Sequence, residues 1–176
     1  GDYSFTGCEN IDSITWNNIE SIGSHSFEGC LGIQSLPLEK VKTFGDNAFS
    51  GCSNVANVNI QIIETIGQEA FKSTKISELV IPSTTSNIGK DAFIDCSELT
   101  TVEYEGIKNP CEVNERETHD AFTNTKTTNV KVKITYKSEI FCGLEPFTEN
   151  ICGKDNRKCF RKHFHKAFCV TLCFKS

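Results

Sequence analysis

Ten cysteines and four histidines are the residues of this 176-residue chain best equipped for chemistry. A thiol or an imidazole can act as a nucleophile or general base, ligate a metal, or, for cysteine, close a disulfide. Nucleophilic catalysis needs a positioned base, and no signature supplies one: GxxxxGK[ST], GxGxxG, HExxH and GxSxG are all absent. His25 shares a repeat slot with Asn47, Glu69 and Asp91, so it reads as a variable exposed position. His119 lies between Thr118 and Asp120 and could be half of an acid–base pair, but a solvated loop histidine is the simpler reading. Cys159, His163, His165 and Cys169 contain zinc-ligand types, yet the chain has no CxxC and the two histidines stand at an uncommon zinc spacing. The expectation is therefore no catalytic residue, no metal site, no cofactor and no enzyme.

The cysteines divide by spacing. Cys8, Cys30, Cys52 and Cys96 recur at one position, where Thr74 stands in once. A slot that accepts threonine does not require a disulfide, so these thiols are expected to pack as small apolar groups. Neighbouring coils would put Cys30 and Cys52 about 5 Å apart, which leaves a bond between them open. The other six, Cys111, Cys142, Cys152, Cys159, Cys169 and Cys173, are the disulfide candidates. An even set gathered at one end reads as a stapled cap, and six cysteines allow fifteen connectivities.

The elements that must position these residues come from a repeat. Phe5, Phe27, Phe49, Phe71 and Phe93 are each 22 residues apart, and Gly23, Gly45, Gly67 and Gly89 keep the same period. Between them run apolar triplets: Ile11-Ile14-Trp16, Ile33-Leu36-Leu38, Val55-Val58-Ile60, Ile76-Leu79-Ile81 and Leu99-Val102-Tyr104. The alternation closing each triplet is that of a short strand. The fourth copy starts one residue early, and an extra residue in the 82–87 segment restores the period, which is expected to keep the strand in register. A unit this short cannot bury a core alone, so copies must stack. That predicts an α/β repeat solenoid with a parallel strand ladder on one face and short helical or 3₁₀ turns on the other. The glycine suits either unusual backbone angles or close packing, and the phenylalanine fills the space between coils.

Charge and composition narrow the function. Residues 154–176 hold seven Lys/Arg and one acid, a balance of +6, which leaves −11 on the rest of a chain whose total is −5. An acidic body repels phosphate, so nucleic acid is not expected as a partner. No apolar run approaches the roughly 20 residues of a membrane helix. The chain opens at Gly1 without an initiator methionine or apolar leader, so a processed or partial chain is expected. No Asn-x-Ser/Thr sequon occurs. The basic, aromatic-rich tail reads as a solvated terminus or packed cap, with attachment to an anionic surface as the other possibility.

Ile76–Pro82 (ISELVIP) followed by Ile88–Cys96 (IGKDAFIDC) is similar to the LxxLxIP and IGxxAFxxC pattern of BspA-like leucine-rich repeat surface proteins. The resemblance covers residues 4–104 and continues more loosely through Asp120-Ala121-Phe122 and Val130–Ile134. The unit is slightly shorter than that family's, and most copies lack the proline. The resemblance implies a secreted or surface-displayed protein that binds host or matrix proteins. Members often end in NPC…FCG, as in Asn109-Pro110-Cys111 and Phe141-Cys142-Gly143, which supports pairing Cys111 with Cys142. The resulting expectation is a leucine-rich-repeat solenoid over residues 1–143, its last coil irregular from about 105, and a cysteine-rich basic cap over 144–176. Thr15, Gln34, Ser35, Asn57, Asn59, Glu78, Val80, Thr101 and Glu103 should point outward from the ladder and form the partner-binding face. Binding of a protein, extracellular or at the cell surface, is the expected function. The alternative is a structural unit that self-assembles through its first coil, where Ile11, Ile14 and Trp16 would offer an apolar edge.

Overall fold

The computed structural model describes residues 1–11, 14–114, 117–127, 129–132, 141–152, 157–163 and 169–173, and side chains for 1–11, 14–111, 119–127, 130–131 and 141–146. The chain winds into stacked coils, the regular ones with two short strands each. The longer strands are β2 (Ser35–Pro37), β4 (Asn57–Asn59), β6 (Glu78–Ile81), β8 (Thr101–Tyr104) and β11 (Asn129–Val132). The shorter are β1 (Ser21–Ile22), β3 (Thr43–Phe44), β5 (Thr65–Ile66) and β7 (Asn87–Ile88), which form a second parallel ladder in the order β1-β3-β5-β7. These two-residue strands have one buried apolar residue each, Ile22, Phe44, Ile66 and Ile88.

The bends are turns; no helix or 3₁₀ segment occurs among the described residues, which corrects the expectation of helical turns opposite the ladder. The reason lies in where the amides go. His25 N–H donates to Asp46 O at 2.8 Å, Phe27 N–H to Ala48 O at 2.9 Å and Gly29 N–H to Ser50 O at 2.8 Å, all in the next coil. Amides committed to the neighbouring coil cannot close an intrahelical bond. This arrangement needs left-handed residues, and they recur: His25, Asn47, Glu69 and Asp91 have φ of 51–57°, and Gly29 and Gly51 have φ of 71°. The repeated Gly23, Gly45, Gly67 and Gly89 are there for close packing instead. A Cβ on Gly67 would lie 2.5 Å from the backbone carbon of Gly45 and 2.6 Å from Asp46 N.

The core lies between the two ladders. Phe5, Phe27, Phe49, Phe71, Phe93 and Phe122 stack in one column, with neighbouring ring centroids 5.1–5.4 Å apart. Phe49, Phe71 and Phe93 are fully buried, which stabilises by roughly 1.5–3 kcal/mol each before the stacking contribution. Trp16 is buried as well, its ring 5.4 Å from that of Phe27, so the first triplet is covered more than an open edge would be.

The longer-strand ladder is split. Among the described residues β2 pairs only with β4, whereas β6, β8 and β11 belong to another sheet that continues through β12 (Glu145–Cys152), β13 (Arg157–His163) and β14 (Cys169–Cys173). The split falls at the one-residue offset: β6 is in register with β8, Leu79 opposite Val102, but no ladder joins it to β4. The expected register is kept on one side only. β9 (Glu112–Asn114) and β10 (Glu117–Thr118) form a separate antiparallel pair.

Beyond the regular coils, Cys111 and Cys142 form a buried disulfide, with Cα atoms 5.2 Å apart. The side chain of Asn109 braces both halves: its Oδ1 accepts from Cys111 N at 3.0 Å and from Cys142 N at 3.4 Å. Cys8, Cys30, Cys52 and Cys96 are free thiols. The side chains of Cys152, Cys159, Cys169 and Cys173, like those of His163 and His165, lie outside the described residues.

Candidate functional site

Strand alternation sorts the ladder residues into two sets. Leu36, Leu38, Leu79, Ile81, Val102 and Tyr104 point into the core. Between them, Gln34, Ser35, Asn57, Asn59, Glu78, Val80 and Thr101 are exposed, and Glu103 is half-buried. The strand register sets Ser35 beside Asn57, Pro37 beside Asn59, Glu78 beside Thr101 and Val80 beside Glu103. Eight of the nine residues named from the sequence thus share one face or its margin. Thr15 is exposed too but lies outside the strands, on the first coil.

Two contacts on this face were not legible in the sequence. Asn59 Nδ2 donates to Glu39 Oε1 at 2.9 Å, and Lys131 Nζ lies 3.4 Å from Glu103 Oε1. Neither partner could be found by period alone, since Glu39 follows the strand and Lys131 comes from an irregular coil. Where β4 and β6 separate, the face dips into a groove of about 400 Å³. Val80 is the most exposed large apolar residue at its rim, with half its surface open (51%). The face as a whole is neutral to weakly acidic and rich in amides and hydroxyls, able to hydrogen-bond a polar partner and to cover a small apolar contact.

Groups with shifted protonation lie elsewhere. Burial pushes the thiols of Cys30 and Cys96 up, that of Cys52 up to about 12, and the phenol of Tyr104 up to about 12. On a bend, the hydrogen bond from Lys72 lowers Glu69, and Lys72 is raised in return. His25 Nδ1 is 2.6 Å from Glu28 Oε2 and its ring stacks on Tyr3. His119 Nε2 is 2.6 Å from Ile88 O. Both histidines are thus engaged in contacts within and between coils. Among the described residues, no group of three or more His, Cys, Asp or Glu could hold a metal ion.

Residues 1–100 match the family model described as BspA type Leucine rich repeat region, in 6 copies. Among solved structures, the chain is similar to a leucine-rich repeat protein from Bacteroides ovatus ATCC 8483, with 26% identity and a TM-score of 0.60 over 85% of this chain. The chain spans 40% of the length of that protein. A leucine rich cell surface protein from Faecalibacterium prausnitzii A2-165 is 15% identical, with a TM-score of 0.37, covering 73% of this chain and 57% of its own. No curated protein matches.

Proposed function

The chain belongs to the BspA-type leucine-rich repeat family, and from that premise we propose that it is a non-enzymatic recognition protein that binds a protein partner through its strand-ladder face. The observation that carries this reading is the face itself: a row of exposed Ser, Asn, Thr and Glu side chains held at fixed spacing by parallel strands whose opposite side packs on the core. A rigid scaffold of this kind presents its side chains without a large ordering cost on binding. In this reading the solenoid assigned to residues 1–143 carries the face, and residues 144–176 are the cap. The buried Cys111–Cys142 disulfide favours an oxidising setting, extracellular or at the cell surface. Among the described residues, no helix is long and apolar enough to cross a membrane.

The test is binding to a panel of immobilised extracellular-matrix proteins. The Asn57→Lys, Asn59→Lys double variant should lose at least about tenfold in affinity for any protein the parent chain captures, while melting as the parent does. Undiminished capture by the folded variant would remove the ladder face from the reading.

A second reading rests on the other end of the stack. Tyr3 and Phe5 are 63% and 43% exposed on the first coil, where an identical surface could stack. Self-association through this end predicts light scattering that rises with concentration and is abolished by Tyr3→Glu and Phe5→Glu. A particle mass that stays monomeric at all concentrations would eliminate it.

A further inference from the structure

The seam between β4 and β6 has a definite chemistry. Its groove is lined by Ser35 and Pro37 from β2, Asn57 and Asn59 from β4, and Glu78 and Val80 from β6. Glu78 is the sole ionisable side chain in the lining, which contains no lysine or arginine. It is exposed and makes no ion pair or hydrogen bond among the described residues. Asn59 commits one N–H of its Nδ2 to Glu39, which leaves its second N–H and the acceptor Oδ1 to offer. The seam therefore presents one carboxylate among amides and hydroxyls, beside the exposed apolar surface of Val80 and Pro37.

A ligand that pairs with this carboxylate and covers the apolar surface beside it is cationic, with donors at its head and an apolar stem. Guanidinium has five donors and no acceptor, binds carboxylates through two parallel hydrogen bonds and is more weakly hydrated than an ammonium. Its three-carbon stem can lie along apolar surface while the head stays at the acceptors. Phosphate, sulfate and acidic sugars are repelled by Glu78. We infer that the seam takes an arginine side chain from an extended segment of the protein partner, with the guanidinium on Glu78 and the stem over Val80 and Pro37. This inference rests on the ladder-face reading and specifies the chemistry of the partner.

The experiment is an NMR titration of isotope-labelled protein with the peptide Gly-Ser-Arg-Ser-Gly and with its Lys and Glu counterparts. The arginine peptide should shift the side-chain amide signals of Asn57 and Asn59 saturably, and the glutamate peptide should not. Glu78→Gln should weaken the arginine peptide about fivefold, as should raised salt. No shift, equal shifts by the lysine or glutamate peptide, or an unchanged affinity in Glu78→Gln would overturn the inference. Matrix-protein binding by the Asn57→Lys, Asn59→Lys variant, measured alongside, separates the two claims. If that variant loses its protein partner while the arginine peptide fails, the ladder-face reading stands and the arginine site falls. If the variant keeps its partner, the ladder-face reading itself falls.

Discussion

The thiol of Cys52 donates a hydrogen bond of 2.9 Å to the main-chain oxygen of Phe27, 25 positions earlier and one coil away. Cys30 makes the same bond to Phe5, and Cys96 to Phe71, each at 3.0 Å. Thr74, which replaces cysteine in the fourth coil, turns its hydroxyl to Phe71 O within its own coil at 3.0 Å. The repeated cysteine is thus a small buried donor that stitches one bend to the next. It must be protonated to do so.

Buried, protonated thiols should be chemically silent. Alkylation of native protein at neutral pH is expected to label half-buried Cys8 first and to leave Cys52 and Cys96 unlabelled until unfolding. Peptide mapping of non-reduced protein should recover Cys111 linked to Cys142. Labelling of Cys52 at the rate of Cys8 would contradict this packing.

Stability should fall in alkali. The Cys52 thiol is raised from its ordinary 9.0 to about 12, because burial disfavours the thiolate. Its contribution is complete below pH 9; above that the unfolded chain releases a proton that the folded chain keeps, and the stabilisation is lost by about pH 12. Tyr104, raised from 10.0 to about 12 by burial, adds to the loss over the upper part of this window. Melting temperatures across the range should fall less steeply in Cys52→Ser, whose hydroxyl does not titrate. An identical slope in both proteins would count against the assignment.

Two kinds of glycine should respond differently to alanine. Gly67 has no room for a Cβ, since it would lie 2.5 Å from Gly45 backbone, and Gly67→Ala should cost about 1–3 kcal/mol or more. Gly51 has room, with Gly29 Cα 3.8 Å from the same hypothetical atom, but its φ is 71°. Gly51→Ala should cost about 1 kcal/mol from backbone strain. Chemical denaturation of the two variants measures the difference, and a reversed order would refute the packing argument.

Loss of the disulfide should be felt by the end of the stack. Cys111 and Cys142 are separated by 31 positions, a loop whose closure is worth roughly 3–4 kcal/mol on the chain-entropy account. The Cys111→Ser, Cys142→Ser variant should therefore unfold at clearly lower denaturant. An unshifted midpoint would show that the packing of Phe141 and Asn109 holds this coil alone.

The stack was legible because its rules are periodic. One phenylalanine, one glycine and one small donor per coil locate the core column, the tight contact and the thiol row. Alternation within the triplets likewise located the outward face. The second ladder was hidden, because strands of two residues such as Thr43–Phe44 are too short to show a period. The bends differ from the helical turns expected because left-handed residues are not announced by type when His25, Asn47, Glu69 and Asp91 share the slot. The groove is hidden for a subtler reason. The early start of Ile76 is visible in the sequence, but a one-residue slip that loops can absorb does not announce that the ladder parts between β4 and β6.

The ladder face as docking surface is tested most directly by amide hydrogen exchange, with and without a matrix protein that the chain captures. The account predicts slowed exchange over 34–37, 56–59 and 77–80, with the bends unchanged. Protection confined to Tyr3–Thr6 and Ser21–Ile22, with the ladder strands exchanging as in the free chain, would contradict it and favour association through the first coil.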